Sequence, residues 1–111
     1  QTLHENGINH RDFYLCHFLL PKNQLNQLDC PIYLIDLHRA QIRKKIPFRW
    51  RVKDISGLYF STMDFNFTRR DYWHFISFYK KHRAKGFLKK EKYFWEKVMI
   101  KAEALHKKHS F

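Results

Sequence analysis

The stretch that decides the fold is INHRDFYLCHF, residues 8–18, in which His10, Arg11 and Asp12 directly precede a run of bulky apolar residues. Another histidine, His17, stands five positions after Asp12. A short apolar run between polar segments is typical of a buried strand. The pattern fits a loop that holds a catalytic carboxylate at the mouth of a strand, and it fits equally a charged turn before a core strand.

A second apolar run, IYLID (32–36), ends on Asp36. The polar segment that separates it from YLCHFLL (14–20) is bounded by two prolines, which predicts a hairpin-like connection over residues 21–31. If the two runs pair as antiparallel strands, Asp12 and Asp36 fall at the same end of the ribbon. A general base needs a carboxylate within hydrogen-bond reach of its substrate, and Mg²⁺ needs one or two carboxylates beside substrate phosphates.

The rest of the chain predicts about three helices after a loop or short helix at 37–45, which gives a mostly helical α+β fold. The first helix runs from Trp50 to about Met63, with Gly57 as a weak point unless something packs closely against it. TRRD (68–71) resembles a capping box with Asp in place of Glu, and Gly86 breaks the pattern. The apolar stripes at helical spacing are Ile55, Leu58, Tyr59 and Thr62; Tyr72, Phe75, Ile76 and Tyr79; and Phe94, Trp95, Val98, Met99, Ala102 and Leu105.

The charge of the chain is strongly positive and unevenly placed. Against 10 acidic side chains there are 22 basic ones, a formal net charge of +12. Residues 1–42 carry a net −1 and residues 43–111 a net +13. Such a field attracts nucleic acid, anionic lipid head groups or a phosphorylated glycolipid, and charge alone does not choose among them. The lysines between 80 and 108 are expected to form mostly a solvated helix face.

Three long blocks resemble a known family. GINHRDFYLCHFLL (7–20), LIDLHRAQIR (34–43) and RWRVKDISGLYFS (49–61) are similar, in order, to the lipopolysaccharide core heptose kinases of the Kdo/WaaP group, which belong to the protein-kinase-like enzymes. The chain departs from ordinary protein kinases at two positions. His17 stands where kinases have Asn, and Asp36 is followed by Leu and His instead of Phe and Gly.

The resemblance implies a partial kinase-like domain over residues 1–111, the carboxy-terminal lobe. Its parts would be a catalytic loop at 8–17, a metal segment at 32–39 and a helical remainder at 48–111. A kinase-like fold has two lobes and roughly 250 residues. The Gly-rich loop and strand lysine of such folds precede the His-Arg-Asp motif, so the amino-terminal lobe is expected to be absent and the isolated chain to be inactive.

The resemblance also implies roles for individual residues. Asp12 would orient or deprotonate the sugar hydroxyl, supported by His10 and Arg11 in the catalytic loop. Asp36 would bind magnesium, and His17 would lie beside a second metal. The remaining two roles are a phosphate or acceptor contact for Arg39 and a structural anchor beneath the loop for Asp54. A zinc site built from His10, His17 and His38 is the alternative, but these histidines lack tight ligand spacing.

By the same resemblance the cofactors are ATP and Mg²⁺, and the acceptor is a heptose of the lipopolysaccharide inner core. The enzyme would be cytoplasmic and peripheral at the inner membrane, since no apolar run approaches the ~20 residues that span a bilayer. Acyl carrier protein is a further candidate partner, and nucleic acid is not expected. Two alternatives stay open: a kinase of the same fold that acts on Kdo or another sugar, and a basic module that binds nucleic acid or an anionic membrane surface.

Overall fold

The computed structural model describes residues 2–80 and 88–109, and it confirms a mostly helical α+β architecture. The helices are α1 (Thr2–Glu5), α2 (Phe48–Thr62), α3 (Arg69–Lys80) and α4 (Leu88–His109), and the strands are β1 (Ile8–Asn9), β2 (Phe18–Leu19), β3 (Tyr33–Leu34) and β4 (Gln41–Ile42). The three long helices follow the predicted stripes. The predicted break at Gly86 lies outside the described residues. No helix in the described part of the chain is long and apolar enough to cross a membrane.

Strands β2 and β3 form the predicted antiparallel ribbon, with Phe18 opposite Leu34. The prediction that residues 14–20 form a buried strand is wrong. Leu15–His17 is a single 3-10 turn, and the side chain of Leu20 is 51% exposed. The chain coils there because the His17 ring turns back to contact the main-chain carbonyl of Asp12, at 2.7 Å. A coiled turn cannot continue the ladder, so only two residues remain for β2.

A second ribbon, β1 with β4, places Ile8 opposite Ile42. The prediction of a loop or short helix at 37–45 therefore missed a strand. The N–H of Arg43 donates to the carbonyl of Gly7 at 2.7 Å and extends the pairing. Gly7 has φ +80, and a Cβ there would lie 1.9 Å from the Arg43 oxygen. Only glycine fits, because it alone tolerates both the left-handed backbone and this close approach.

The core joins the segment after the His-Arg-Asp motif to the helices. Its buried members are Phe13, Val52, Ile55, Tyr79, Phe94 and Val98. A glycine is a weak point of a helix unless something packs closely against it, and Gly57 has such neighbours. A Cβ on it would lie 3.2 Å from the Tyr14 ring and 3.3 Å from the Phe13 carbonyl. The loop can therefore lie directly on α2. Two positions of the apolar stripes lie at the surface instead of in this core: Met99 is 47% exposed and Phe75 38% exposed.

The predicted capping box begins α3. The Thr68 N–H donates to Asp71 Oδ2 at 2.9 Å, and the Asp71 N–H donates to Thr68 Oγ1 at 3.2 Å. These two reciprocal bonds satisfy main-chain donors that the first turn of a helix leaves without partners. Main-chain donation to the charged carboxylate, followed by the Thr68 hydroxyl, lowers the pKa of Asp71 from its ordinary value.

Candidate active site

Asp54 of α2 holds the loop that carries the His-Arg-Asp motif. Its Oδ2 accepts the main-chain N–H of His10 and its Oδ1 accepts that of Arg11, both at 2.8 Å. The side chain of Asp54 is buried, 1% exposed as a residue. A buried carboxylate that accepts several N–H donors is stable in a protein interior. The family resemblance implied that Asp54 is a structural anchor beneath the loop, and the structure places its carboxylate on these two main-chain N–H groups.

Behind Asp54 lies a buried chain of polar groups that sequence reasoning missed. The His4 Nε2–H donates to Asp54 Oδ2 at 2.8 Å, and His4 Nδ1 lies 2.7 Å from the Tyr79 hydroxyl. Burial, and then the charge of Asp54, raise the pKa of Tyr79, so this hydroxyl stays protonated and donates to His4. Nothing in the sequence marked His4, which stands in a polar lead, and Tyr79 was marked only as a core residue.

His10 connects the loop to the segment that carries Asp36. Its Nδ1 accepts the N–H of Asp12 at 3.1 Å, so its Nε2 carries the proton and donates to the Ile35 carbonyl at 2.9 Å. The ring is fully buried. His10 therefore positions main chain and does not reach a substrate. With both nitrogens engaged it is not available to zinc, which removes one ligand of the alternative zinc site.

Two residues beside the site adopt left-handed backbone conformations that non-glycine residues rarely take. Arg11 has φ +75 and Asp36 has φ +62. Such a conformation costs roughly 1–2 kcal/mol for an L-amino acid. The Asp54 hydrogen bonds to the loop offset this cost at Arg11. Strained backbone of this kind is common at functional sites.

His17 contacts both residues that carry the predicted acids, Asp12 through its main chain and Asp36 through its carboxylate. The His17 Nδ1 donates to the main-chain oxygen of Asp12 at 2.7 Å, and its Nε2 lies 3.2 Å from Asp36 Oδ2. On the other side of the loop, Arg39 Nη1 donates to Asp12 Oδ1 at 2.7 Å. Arg39 was expected at a phosphate or acceptor. The structure places it on Asp12, with 43% of its side chain still exposed.

The His17–Asp36 pair has the donor set of a cation site. Nδ1 of His17 carries the proton given to Asp12, and its Nε2 faces a carboxylate oxygen of Asp36. Two acceptors at 3.2 Å repel each other unless a proton or a cation lies between them, and ligands of one octahedral Mg²⁺ at 2.0–2.1 Å lie about 3 Å apart. His38 Nδ1 contacts the other oxygen of Asp36.

Over residues 2–80 and 88–109, no group of three or more His, Cys, Asp or Glu side chains is arranged to hold a metal by itself. A zinc site needs three or four such ligands, so the geometry does not fit zinc. Mg²⁺ bound beside substrate phosphates needs only one or two protein ligands. The residues present fit the second kind of site.

Comparisons with known proteins agree with this geometry. The profile of the "Lipopolysaccharide kinase (Kdo/WaaP) family" matches residues 1–79. The chain is 45% identical over 106 residues to the lipopolysaccharide core heptose(I) kinase WaaP of Escherichia coli K12, covering 95% of this chain and 40% of that protein. It is 41% identical over 107 residues to WaaP of Pseudomonas aeruginosa, covering 96% of this chain and 40% of that protein.

A solved structure of WaaP in complex with acyl carrier protein superposes with a TM-score of 0.78 at 42% identity, covering 94% of this chain and 44% of that chain. The chain thus spans about two fifths of the length of the curated relatives it matches. The matched residues 1–79 include both acids, His17 and the Asp54 anchor. The chain belongs to the lipopolysaccharide kinase (Kdo/WaaP) family.

Proposed function

We propose that the protein containing this chain transfers the γ-phosphoryl group of ATP to a heptose of the lipopolysaccharide inner core. Residues 8–17 and 32–39 would be its catalytic loop and metal segment. One observation carries the proposal: the Asp12 main chain and the Asp36 carboxylate contact the two nitrogens of one ring, His17, in a loop fixed by a buried carboxylate. The relatives named above, both described as heptose(I) kinases, support this acceptor.

In this proposal Asp12 is the catalytic base. Arg39 occupies its Oδ1 and fixes the plane of the carboxylate, so that Oδ2 is left to accept the hydroxyl proton of the sugar. General base catalysis contributes typically 10²- to 10⁴-fold, and most of the remaining acceleration of phosphoryl transfer comes from positioning and electrostatics. The exposed part of Arg39 would contact a phosphate oxygen of the substrates. Arg11 and His10 would keep the loop in shape.

Asp36 and His17 would hold the divalent ion of the reaction. When bound, Mg²⁺ neutralises charge on the β- and γ-phosphates and orients them. The carboxylate of Asp36 is the harder ligand and suits Mg²⁺, whereas the imidazole of His17 suits softer divalent ions better. His38, on the outer oxygen of Asp36, would hold that carboxylate in orientation.

We further propose that this chain forms the carboxy-terminal lobe of a kinase-like domain and works against a nucleotide-binding lobe. The support is an exposed apolar surface around the β2–β3 ribbon. Its members, with their exposed fractions, are Leu19 46%, Leu20 51%, Tyr33 57%, Ile35 41% and Leu37 52%. Contiguous apolar surface of this kind marks an interaction site. In the kinase-like arrangement this side faces the nucleotide.

The charge of the chain and the solved structure of a relative indicate the binding partners. The net charge of +13 over residues 43–111 favours an anionic glycolipid at the cytoplasmic face of the inner membrane. The solved structure of WaaP in complex with acyl carrier protein supports the same partner here. Binding of nucleic acid or membrane by charge alone does not explain the carboxylates of Asp12 and Asp36, because a carboxylate repels phosphate unless a cation lies between the two.

The test is Asp12→Asn in the full-length protein, measured as transfer of radiolabelled phosphate from ATP to purified core lipopolysaccharide. Turnover should fall by roughly 10²- to 10⁴-fold with an unchanged circular dichroism spectrum, because the amide keeps the size and loses the charge that accepts the proton. Asp64→Asn, an 86% exposed carboxylate, is the matched control. Wild-type turnover in Asp12→Asn refutes the mechanism. Transfer to core that lacks heptose identifies Kdo as the acceptor instead.

A further inference from the structure

Three guanidinium groups gather around one indole beside the catalytic loop. The Cζ atoms of Arg11, Arg43 and Arg49 lie 5.4, 5.5 and 5.0 Å from the centroid of the Trp50 ring. The three arginines come from different parts of the chain: the loop, the residue after β4 and the first turn of α2. The fold, and not one amphipathic helix, brings them together. Since each Cζ lies at most 5.5 Å from the ring centroid, any two of the Cζ atoms lie at most about 11 Å apart.

This arginine cluster, Arg11, Arg43 and Arg49 on Trp50, has no counter-charge. In the described part of the chain, no carboxylate lies within ion-pair distance of any of the three, whereas Arg39 has Asp12. Arg43 is held in place by neutral oxygens, Asn9 Oδ1 at 3.2 Å and Gln41 Oε1 at 2.6 Å. The indole face attracts each cation but does not remove the repulsion among them. A bound anion would remove it.

A second, independent observation points to the same place. Within residues 2–80 and 88–109, two side-chain donors are buried without a hydrogen-bond partner, and both belong to this cluster: Arg11 Nε and Trp50 Nε1. Buried donors in proteins almost always have a partner, so each exception calls for an explanation. Because neither nitrogen is accessible to solvent, an anionic oxygen would accept from either group once the side chains around it move aside. The cluster thus lacks both a negative charge and an acceptor atom.

We propose that Arg11, Arg43, Arg49 and Trp50 form a subsite for an anionic group, phosphate or carboxylate, of the acceptor glycolipid. The proposal rests on the function proposed above and adds the part of the acceptor that this site recognises. Guanidinium groups bind both anions through paired N–H donors. Because Arg11 directly precedes Asp12, an anion held here would fix the sugar relative to the catalytic base. The arginine cluster would then select acceptors that carry negative charge near the reacting hydroxyl.

The test uses the full-length protein and core oligosaccharide released from its lipid, so that no membrane contributes to binding. Arg49→Gln is the test variant, because the Arg49 side chain makes no hydrogen bond in the described structure and its loss leaves the loop contacts in place. Arg70→Gln, an exposed arginine in the first turn of α3, is the control with the same change of charge. Titration calorimetry without ATP measures the affinity.

We expect Arg49→Gln to weaken binding roughly tenfold, as the loss of one charge-assisted hydrogen bond does, and Arg70→Gln to leave it unchanged. Trp50→Phe keeps the ring and removes the donor, and it should weaken binding several-fold. Phosphatase-treated oligosaccharide separates the two anions. If Arg49→Gln loses its effect on the treated sugar, the group is a phosphate, and if the effect persists it is a carboxylate.

Equal affinities of Arg49→Gln and Arg70→Gln for both sugars would overturn the subsite, as would failure of the unsubstituted protein to bind either sugar. Lower thermal stability of Arg49→Gln with unchanged affinity would show that groups of the protein itself balance the charge of the arginine cluster. Since binding is measured without ATP, the proposed kinase function can fail separately. An Arg49-dependent affinity in a protein that transfers no phosphate would keep the subsite and remove the kinase.

Discussion

Replacing Asp54 with Asn should loosen the catalytic loop more than any other single change of this size. The carboxylate accepts three hydrogen bonds at 2.8 Å, two on Oδ2 and one on Oδ1. An amide offers one oxygen. If that oxygen takes the Oδ2 position, the amide NH₂ faces the main-chain N–H of Arg11, and two donors oppose each other in a buried site.

The expected cost follows from these contacts. One buried donor without a partner costs roughly 1–3 kcal/mol, and the other two bonds each lose about 1 kcal/mol when their acceptor loses its charge. A neutral amide is cheaper to bury than a carboxylate, which offsets part of the loss. The net destabilisation should be about 2–4 kcal/mol. That is a large fraction of the 5–15 kcal/mol that typically separates folded from unfolded domains.

Hydrogen exchange in the full-length protein is the most direct assay, because it reports on the loop itself. The N–H groups of His10 and Arg11 should exchange roughly 30- to 1000-fold faster in Asp54→Asn. Asp64→Asn is the control, since this carboxylate is 86% exposed and forms a surface ion pair with His106, so the change should alter stability by about 0–1 kcal/mol. Equal exchange at His10 and Arg11 in the two variants would refute the anchor. Activity should fall as well, because Asp12 moves with the loop.

Three further predictions concern single positions. Gly57→Val should lower the free energy of unfolding by about 1–3 kcal/mol in a denaturation series, since the valine side chain must displace the loop that α2 touches. Gly57→Ala should be nearly neutral, because the higher helix propensity of alanine offsets the close contact. The Asp71 carboxyl should titrate by NMR below its ordinary 3.8. Since folding lowers that pKa, the stabilisation of the fold by the Asp71 carboxylate is present above pH ~4 and is lost as the pH falls through the folded pKa. Thr68→Ala should raise that pKa only in part, because the main-chain donor remains. His17→Asn should shift the ratio of Mn²⁺- to Mg²⁺-supported rates toward Mg²⁺, an amide oxygen being the harder ligand. An unchanged ratio, equal to that of exposed His74→Asn, would contradict a metal contact at His17.

Local patterns predicted the parts of the fold that depend on local physics. The α3 capping box could be read from four residues, because both of its hydrogen bonds lie within one turn. The antiparallel pairing of 18–19 with 33–34 followed from two apolar runs and a connection bounded by prolines. The position of Asp54 beneath the loop came from the resemblance alone. No spacing rule connects residue 54 to residues 10 and 11.

The parts that were missed depend on contacts between distant residues. His4 lies in a polar lead that predicts no buried role, yet it contacts Asp54, 50 positions later, and Tyr79, 75 positions later. The β1–β4 ribbon pairs two-residue segments, too short for any periodicity to show. The predicted strand over residues 14–20 failed for a related reason. The apolar pattern was present, but the His17 ring's contact with the Asp12 carbonyl coils the chain.

The same sequence separations show when the site can form. The loop bonds to Asp54 span 43 and 44 residues, and the bond from His10 to the Ile35 carbonyl spans 25. Each closes a long loop whose entropy must be offset before the contact stabilises anything. Before α2 lies against residues 13–14, nothing balances the left-handed backbone of Arg11. We therefore expect the geometry of the candidate site to form late, when these helices dock, and a variant that loosens α2 should lose the site before it loses its helices.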